Sequence, residues 1–176
     1  TGLTGELIIP DSVETIGSYA FYKCSKLTSV TIGSNVTSIG HRAFYNCAGL
    51  TGELVIPDNV ETIDAYVFYS CSGITNLVIG ENVGSISENA FKGCSELTSI
   101  TMPISAYPTS ITTFSGCTKV SSVTLTKGTG TGYNYTSSIC TYTPWYLSRN
   151  NSNGITITIE DGVTSIGSYA FYNCTG

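Results

Sequence analysis

The chain has 176 residues, 41% of them hydrophobic and only 11% charged, with a net charge of −5. That length suits one domain, the absence of a basic patch argues against a nucleic-acid partner, and no apolar run approaches the roughly 20 residues of a membrane-crossing helix, so no membrane insertion is expected. What the composition hides is repetition. Phenylalanine recurs at Phe21, Phe44, Phe68, Phe91, Phe114 and Phe171, in steps of 23, 24, 23, 23 and 57 residues. Cysteine follows each, at Cys24, Cys47, Cys71, Cys94, Cys117 and Cys174. A fixed period of twenty-odd residues is the mark of a solenoid.

The first turn, Leu3 to Cys24, opens with LTGELIIP, and the third, Leu50 to Cys71, with LTGELVIP. The second, Leu27 to Cys47, has the shorter LTSVTIG. The longer form carries one extra residue, and Gly5 and Gly52 within it predict a bulge. In the second turn, Val30 and Ile32 alternate with Ser29 and Thr31, the period of a half-buried strand. Gly33-Ser34-Asn35 breaks it, Val36 and Ile39 form a second short apolar pair, and Gly40 permits another bend. Ala43, Phe44 and Cys47 then point inward. No window has helical periodicity over eleven or more residues, so the Ala-Phe segment is expected to be a single 3₁₀ or α turn. Asp11, Glu14, Asp58 and Glu61 recur at exposed loop positions and are expected to be solvated turn residues.

The fourth turn, Ile74 to Cys94, is regular. The fifth starts regularly at Leu97 but loses its Ile-Gly and its Ala, and Pro103 and Pro108 predict an irregular loop there. A sixth strand is expected around Val120, Val123 and Leu125. Residues 127–153 form an irregular insertion rich in Gly, Asn, Ser and Tyr, in which Thr143-Pro144-Trp145 has the pattern that opens a short helix with Pro at its first position. The repeat resumes from Ile155 to Cys174. Residue 1 is not methionine and neither end carries a polar capping turn, so the chain, a single solenoid over 1–176, is expected to be a fragment of a longer protein with core exposed at its ends.

One such turn cannot bury its own apolar side, whereas stacked turns share a continuous core. Seven strand rows at roughly 4.8 Å spacing give a stack about 30 Å long. Equivalent cysteines then point the same way about 4.8 Å apart, whereas a disulfide needs β-carbons about 3.8 Å apart and facing one another. Free buried thiols are therefore expected, and one histidine with parallel thiols does not make a tetrahedral metal site.

The turns resemble the BspA-like, or treponemal-type, leucine-rich-repeat surface proteins, whose pattern runs through Leu-x-x-Ile-x-Leu-Pro, an aliphatic pair ending in Ile-Gly, and Ala-Phe-x-x-Cys. Leu3 to Cys24, Leu27 to Cys47, Leu50 to Cys71, Ile74 to Cys94 and Ile155 to Cys174 meet it, and Leu97 to Cys117 more loosely. The resemblance implies a leucine-rich-repeat solenoid, right-handed and strand-rich, with one short parallel strand per turn plus a second short strand or 3₁₀ turn and little regular helix. Val36 directly follows Asn35, unlike the ordinary leucine-rich pattern, so the outer side should carry strand or 3₁₀ turn. The resemblance also implies an extracellular or cell-surface location and binding to host or neighbouring-cell components.

Three groups of residues are candidates for contact with a ligand. The aromatic residues of the insertion, Tyr133, Tyr135, Tyr142, Trp145 and Tyr146, combine large contact area with polar tips, against a purely structural reading in which they cap the core. The outward strand residues Thr28, Thr31, Thr75, Asn76, Thr98 and Thr101 form a hydroxyl-rich face, against the reading that Thr is simply a good exposed strand residue. Tyr22, Tyr45, Tyr69 and Tyr172 form a row broken by Lys92 and Ser115, for which ladder packing is the expected role. His41, the only histidine, has no catalytic neighbour in sequence and is expected at the surface. The chain is thus expected to be a non-enzymatic binding or adhesion module of a microbial secreted or surface protein, making multipoint contact with a protein or glycan and using no cofactor or metal. Its alternatives are a structural spacer that displays another domain and a carbohydrate-active solenoid enzyme.

Overall fold

The computed structural model describes residues 2–129, 139–147 and 154–174. Each regular turn contributes one long and one short strand. These are β1 (Thr4–Ile9) and β2 (Thr15–Ile16), β3 (Lys26–Ile32) and β4 (Ser38–Ile39), β5 (Thr51–Ile56) and β6 (Thr62–Ile63), β7 (Gly73–Ile79) and β8 (Ser85–Ile86), then β9 (Ser99–Pro103) and β10 (Tyr107–Pro108). Strands β11 (Ser122–Thr126) and β12 (Thr156–Ile159) follow, separated by a 3₁₀ turn at Ile139–Tyr142 and a one-turn helix α1 (Pro144–Leu147). All pairs are parallel. The long strands form a β1-β3 pair and a five-stranded sheet ordered β12-β11-β9-β7-β5, and the short strands form a second sheet ordered β10-β8-β6-β4-β2. The long ladder lapses between β3 and β5, at the 24-residue step, while the second sheet runs unbroken through the same place.

The third side of each turn is neither strand nor helix. Within it, Tyr22 N–H donates to Tyr19 O and Cys24 N–H to Phe21 O, as in a 3₁₀ turn, but Tyr19, Phe21 and Lys23 donate to His41, Ala43 and Tyr45 of the next turn. The same alternation joins Arg42, Phe44 and Asn46 to the third turn. It works because every fourth residue is left-handed: Tyr19, Lys23, Arg42, Asn46, Tyr66, Ser70 and Asn89 have φ between 55° and 61°. The expected single 3₁₀ or α turn is therefore replaced by stacked β-turns, a turn wall. A helical segment would direct its N–H groups along its own axis and leave none for the neighbouring turn.

The core is built from columns of equivalent side chains. Phe21, Phe44, Phe68, Phe91 and Phe114 stack with ring centroids 5.0, 5.2, 5.7 and 5.4 Å apart and planes within 14° of parallel. Leu27, Leu50, Ile74, Leu97 and Val120 form a buried column under the long strands, and Ile16, Ile39, Ile63 and Ile86 one under the short strands. Cys24, Cys47, Cys71, Cys94, Cys117 and Cys174 are free. They are more than small hydrophobes: Cys47, Cys71, Cys94 and Cys117 each donate their S–H to the phenylalanine carbonyl of the preceding turn, at 3.1 to 3.4 Å. Burial pushes the Cys47 and Cys117 thiols up to about 12, and Cys71 and Cys94 upward as well.

The corners are also stacked. Asp11 Oδ1 accepts Ser34 N–H and Asp58 Oδ1 accepts Glu81 N–H, one turn on, so these carboxylates cap the backbone as well as facing solvent. Asn35 and Asn59 donate side-chain N–H to carbonyls of the preceding turn. Pro10 and Pro57 alternate along this corner with Gly33 and Gly80, and a β-carbon at Gly80 would come 2.4 Å from Pro57 O. The bulges occur at Gly5/Glu6 and Gly52/Glu53, with φ of 79° and 75° at the two glycines. The unmatched residue lies on the facing strand, at Thr28 and Thr75, since Gly5 pairs with Leu27 and Glu6 with Ser29.

The fifth turn is more regular than its sequence suggests. Pro103 ends β9 and Pro108 lies in β10, so both are in strands and not in an irregular loop. Tyr107 N–H and Thr109 N–H make the bonds to the fourth turn, and Pro108 falls between them, where no donor is needed; among the described strands β10 is also the last of its sheet, and sheet edges are the usual place for proline. Thr113 fills the place of the missing alanine, buried, with Oγ1 donating to Ser87 O.

Two measurements check this architecture. Ser70, with φ 55°, holds the place that Gly93 (φ 79°) and Gly116 (φ 86°) hold in the next turns. Ser70→Gly is expected to raise unfolding free energy by about 0.5–1 kcal/mol and Gly93→Ala to lower it by about 1 kcal/mol or more, read from urea midpoints. The thiols predict a pH dependence. Unfolded cysteine ionises near ~8.5, while Cys47 and Cys117 do so at about 12 when folded. Between those values the unfolded chain holds fewer protons, so stability is complete below the lower one and falls as pH rises, by up to about 1.4 kcal/mol per pH unit for each buried thiol. Denaturant titrations from pH 7 to 11 should show that fall, with a shallower slope for Cys94→Ala.

Candidate functional site

Of the insertion aromatics, Tyr133 and Tyr135 lie outside the described residues. Tyr142 ends the 3₁₀ turn and Tyr146 lies in α1, both half-buried. The helix has the expected start: Pro144 is its first residue and Thr143 Oγ1 accepts Tyr146 N–H, as a cap does. Trp145 is only 2% exposed. Its ring packs 5.6 Å from Phe171, and its Nε1–H donates to Ala170 O at 2.9 Å. In regular turns that alanine carbonyl receives a backbone N–H from the preceding phenylalanine, as Ala43 does from Phe21 and Ala90 from Phe68. The indole thus supplies the donor that the interrupted repeat lacks. Sequence alone could not distinguish this role from display of the ring to solvent. Trp145, Ile155, Ile157, Ile159, Phe171 and Cys174 line an open apolar recess at the last turn.

The strand face is brought together as one surface. Its two outer rows on the five-stranded sheet are Glu53, Asn76, Ser99, Ser122, Thr156 and Val55, Val78, Thr101, Thr124, Thr158. Thr31 sits beside Ile8 on β1-β3. From Asn76 onward the rows carry no charge, and Ser99, Thr101, Ser122 and Thr124 are half-buried by their neighbours. Sequence reading missed three apolar members: Ile8, 64% exposed, Val55, 45% exposed, and the half-buried Val78. The alternation in LIIP and LVIP was the available signal. Thr28, Thr75 and Thr98 belong to a different row, at the strand entrance. There Thr51 Oγ1 donates to Thr28 O and Thr98 Oγ1 to Thr75 O, so Thr51 and Thr98 tie turns together.

On the turn wall, Tyr22, Tyr45 and Tyr69 stack at 5.1 and 4.7 Å, with planes 21° and 2° from parallel. Lys92 continues the row, its Nζ 6.0 Å from the Tyr69 ring centre. His41 is half-buried and edge-on between Tyr19 and Tyr66, with centroids at 5.8 and 5.6 Å. Among the described residues no group of three or more His, Cys, Asp or Glu side chains is placed to hold a metal ion, and no helix is long and apolar enough to cross a membrane.

Known proteins place the architecture. The chain is similar to the crystal structure of a leucine-rich repeat protein of T. pallidum, with a TM-score of 0.65 and 21% identity over 88% of this chain and 70% of that one. A leucine-rich cell surface protein from Faecalibacterium prausnitzii matches at 31% identity and TM-score 0.52, over 70% of this chain and 39% of that one. A leucine-rich repeat protein from Bacteroides ovatus matches at 22% identity and TM-score 0.55, over 89% and 42%. The chain thus spans well under half the length of the last two. No curated protein matches it. The family described as BspA type leucine-rich repeat region matches residues 3–121 and 149–176, in six copies. The chain belongs to the BspA type leucine-rich repeat family.

Proposed function

We propose that the chain is a non-enzymatic binding module of a microbial secreted or surface protein, and that the outer face of the five-stranded sheet makes multipoint contact with a protein. The observation that carries this reading is the row Val55, Val78, Thr101, Thr124, Thr158: side by side on consecutive strands, β-branched throughout, and without charge. Such a face offers a flat surface that sheds water readily, and extended solenoid faces are common binding surfaces. Surface display is supported by the cell-surface description of the F. prausnitzii protein. A carbohydrate-active site is disfavoured, since Asp11 and Asp58 are engaged in capping the backbone. The spacer reading is favoured only by the regularity of the stack, which serves a binding scaffold equally well.

Val55→Lys combined with Thr101→Lys places two charges on this row without touching the core. Against a panel of immobilised matrix proteins and glycans, the pair is expected to weaken the best-bound protein about tenfold or more, with the far-UV spectrum unchanged. Unaltered affinity moves the contact off the sheet, and a panel with no binder favours the spacer.

A further inference from the structure

The cations of this acidic chain are unevenly placed. Three of its seven Lys and Arg residues, Lys23, Arg42 and Lys92, lie on the turn wall, each against tyrosine rings and none in an ion pair with a carboxylate. Lys23 Nζ is 5.2 Å from the Tyr22 ring centre. Arg42 Cζ is 4.8, 5.7 and 5.8 Å from Tyr66, Tyr45 and Tyr19, and its Nη1 donates to Tyr19 Oη at 3.2 Å. Its Nε is buried without a hydrogen-bond partner. The wall's two acids, Asp64 and Glu88, stand at its leading edge, and Asp64 Oδ1 accepts Ala65 N–H. Among the described residues the ion pair present, Lys119 with Glu96, lies beyond the wall.

The backbone adds a second observation. Tyr19, Arg42 and Tyr66 occupy left-handed positions, with φ of 61°, 57° and 61°. That conformation costs a bulky L-residue on the order of 1–2 kcal/mol. In the fourth turn Asn89, a residue that tolerates it, holds the equivalent place at φ 57°. The fold therefore does not require tyrosine or arginine at these positions, and strain retained by bulky side chains points to a role outside folding.

We propose that the turn wall of the first four turns is a second binding surface, which takes an acidic segment of a protein partner with Arg42 as its anchor. Between successive turns the tyrosine ring faces pack on one another and against the cations. What remains outward is phenolic edges, hydroxyl tips and the in-plane donors of a guanidinium, the geometry that receives a carboxylate. Lys23 lies one turn before Arg42 and Lys92 two turns after it, offsets of roughly 5 and 10 Å along the stack. An extended chain places alternate side chains about 6.6–6.8 Å apart, so carboxylates at alternating positions pass all three cations. Tyrosine and arginine are also among the residues enriched where protein interfaces concentrate their binding energy. This surface is separate from the long sheet and does not rest on that reading.

The test is fluorescence anisotropy with a labelled peptide alternating Glu and Ser, its Gln-Ser counterpart, and a heparin oligosaccharide. The Glu peptide is expected to saturate the wild-type chain and the Gln peptide not to. Arg42→Gln should weaken binding about tenfold or more and Lys92→Gln a few-fold, while Lys119→Gln, outside the wall, changes nothing. Hydrogen exchange should show peptide-induced protection in 17–24, 40–47, 64–71 and 87–94, and not in 122–126 on the sheet. Should Arg42→Gln lose its fold, Arg42→Lys, which keeps charge but not the planar fork, and Lys23→Gln with Lys92→Gln are read in its place. Unchanged affinity in the folded variants, no saturation at millimolar peptide, binding of heparin alone, or protection confined to the sheet would each overturn the proposal.

Discussion

Every layer of this molecule obeys one constraint: a side chain lies over its equivalent in the next turn at the spacing that parallel strands impose. The phenylalanine column shows the constraint most directly. Isolated aromatic pairs prefer offset or edge-to-face contact, yet four successive pairs here are held within 14° of parallel at 5.0 to 5.7 Å. The backbone dictates that geometry, because the same residues donate their N–H groups to the next turn. Cysteine suits the adjoining column for a related reason. It is small enough to repeat at this spacing, and its S–H reaches the phenylalanine carbonyl of the turn before.

The departures from regularity keep the same rule with other atoms. Thr113 replaces alanine and uses its hydroxyl to bond Ser87 O. Pro108 is placed where the ladder has no use for a donor. Trp145 stands in for a missing turn by giving its indole N–H to Ala170 O, where a backbone N–H would otherwise arrive. The last of these lies beyond β11, and the stack runs from β11 directly to β12 across the insertion.

The parts of the fold legible in the sequence were those with a period. Phe and Cys spacing located the columns, the alternation in LTSVTIG located the long strand, and Pro after Thr143 located α1. The turn wall was not legible, because a left-handed residue can be Tyr19, Arg42 or Ser70 as well as Asn46, and only the glycines at 93 and 116 hinted at it. The burial of Trp145 was equally hidden, since a tryptophan in an aperiodic segment reads the same whether it faces in or out. For the candidate surfaces, side-chain alternation placed the threonines on the sheet. It gave no means of foreseeing that Arg42 would lie among three tyrosines from three successive turns.

A stack of this kind separates its duties by wall: the core columns and the corner caps hold the turns in register, and the sheet face and turn wall remain free to differ in chemistry, one nearly uncharged and the other aromatic and cationic. All of it depends on neighbouring turns interacting through their equivalent side chains. A double-mutant cycle between Phe44 and Phe68, using leucine at each, measures that dependence most directly. Direct ring stacking between adjacent turns predicts a coupling energy of about 0.5–1.5 kcal/mol, and strictly additive effects of the two substitutions would contradict it.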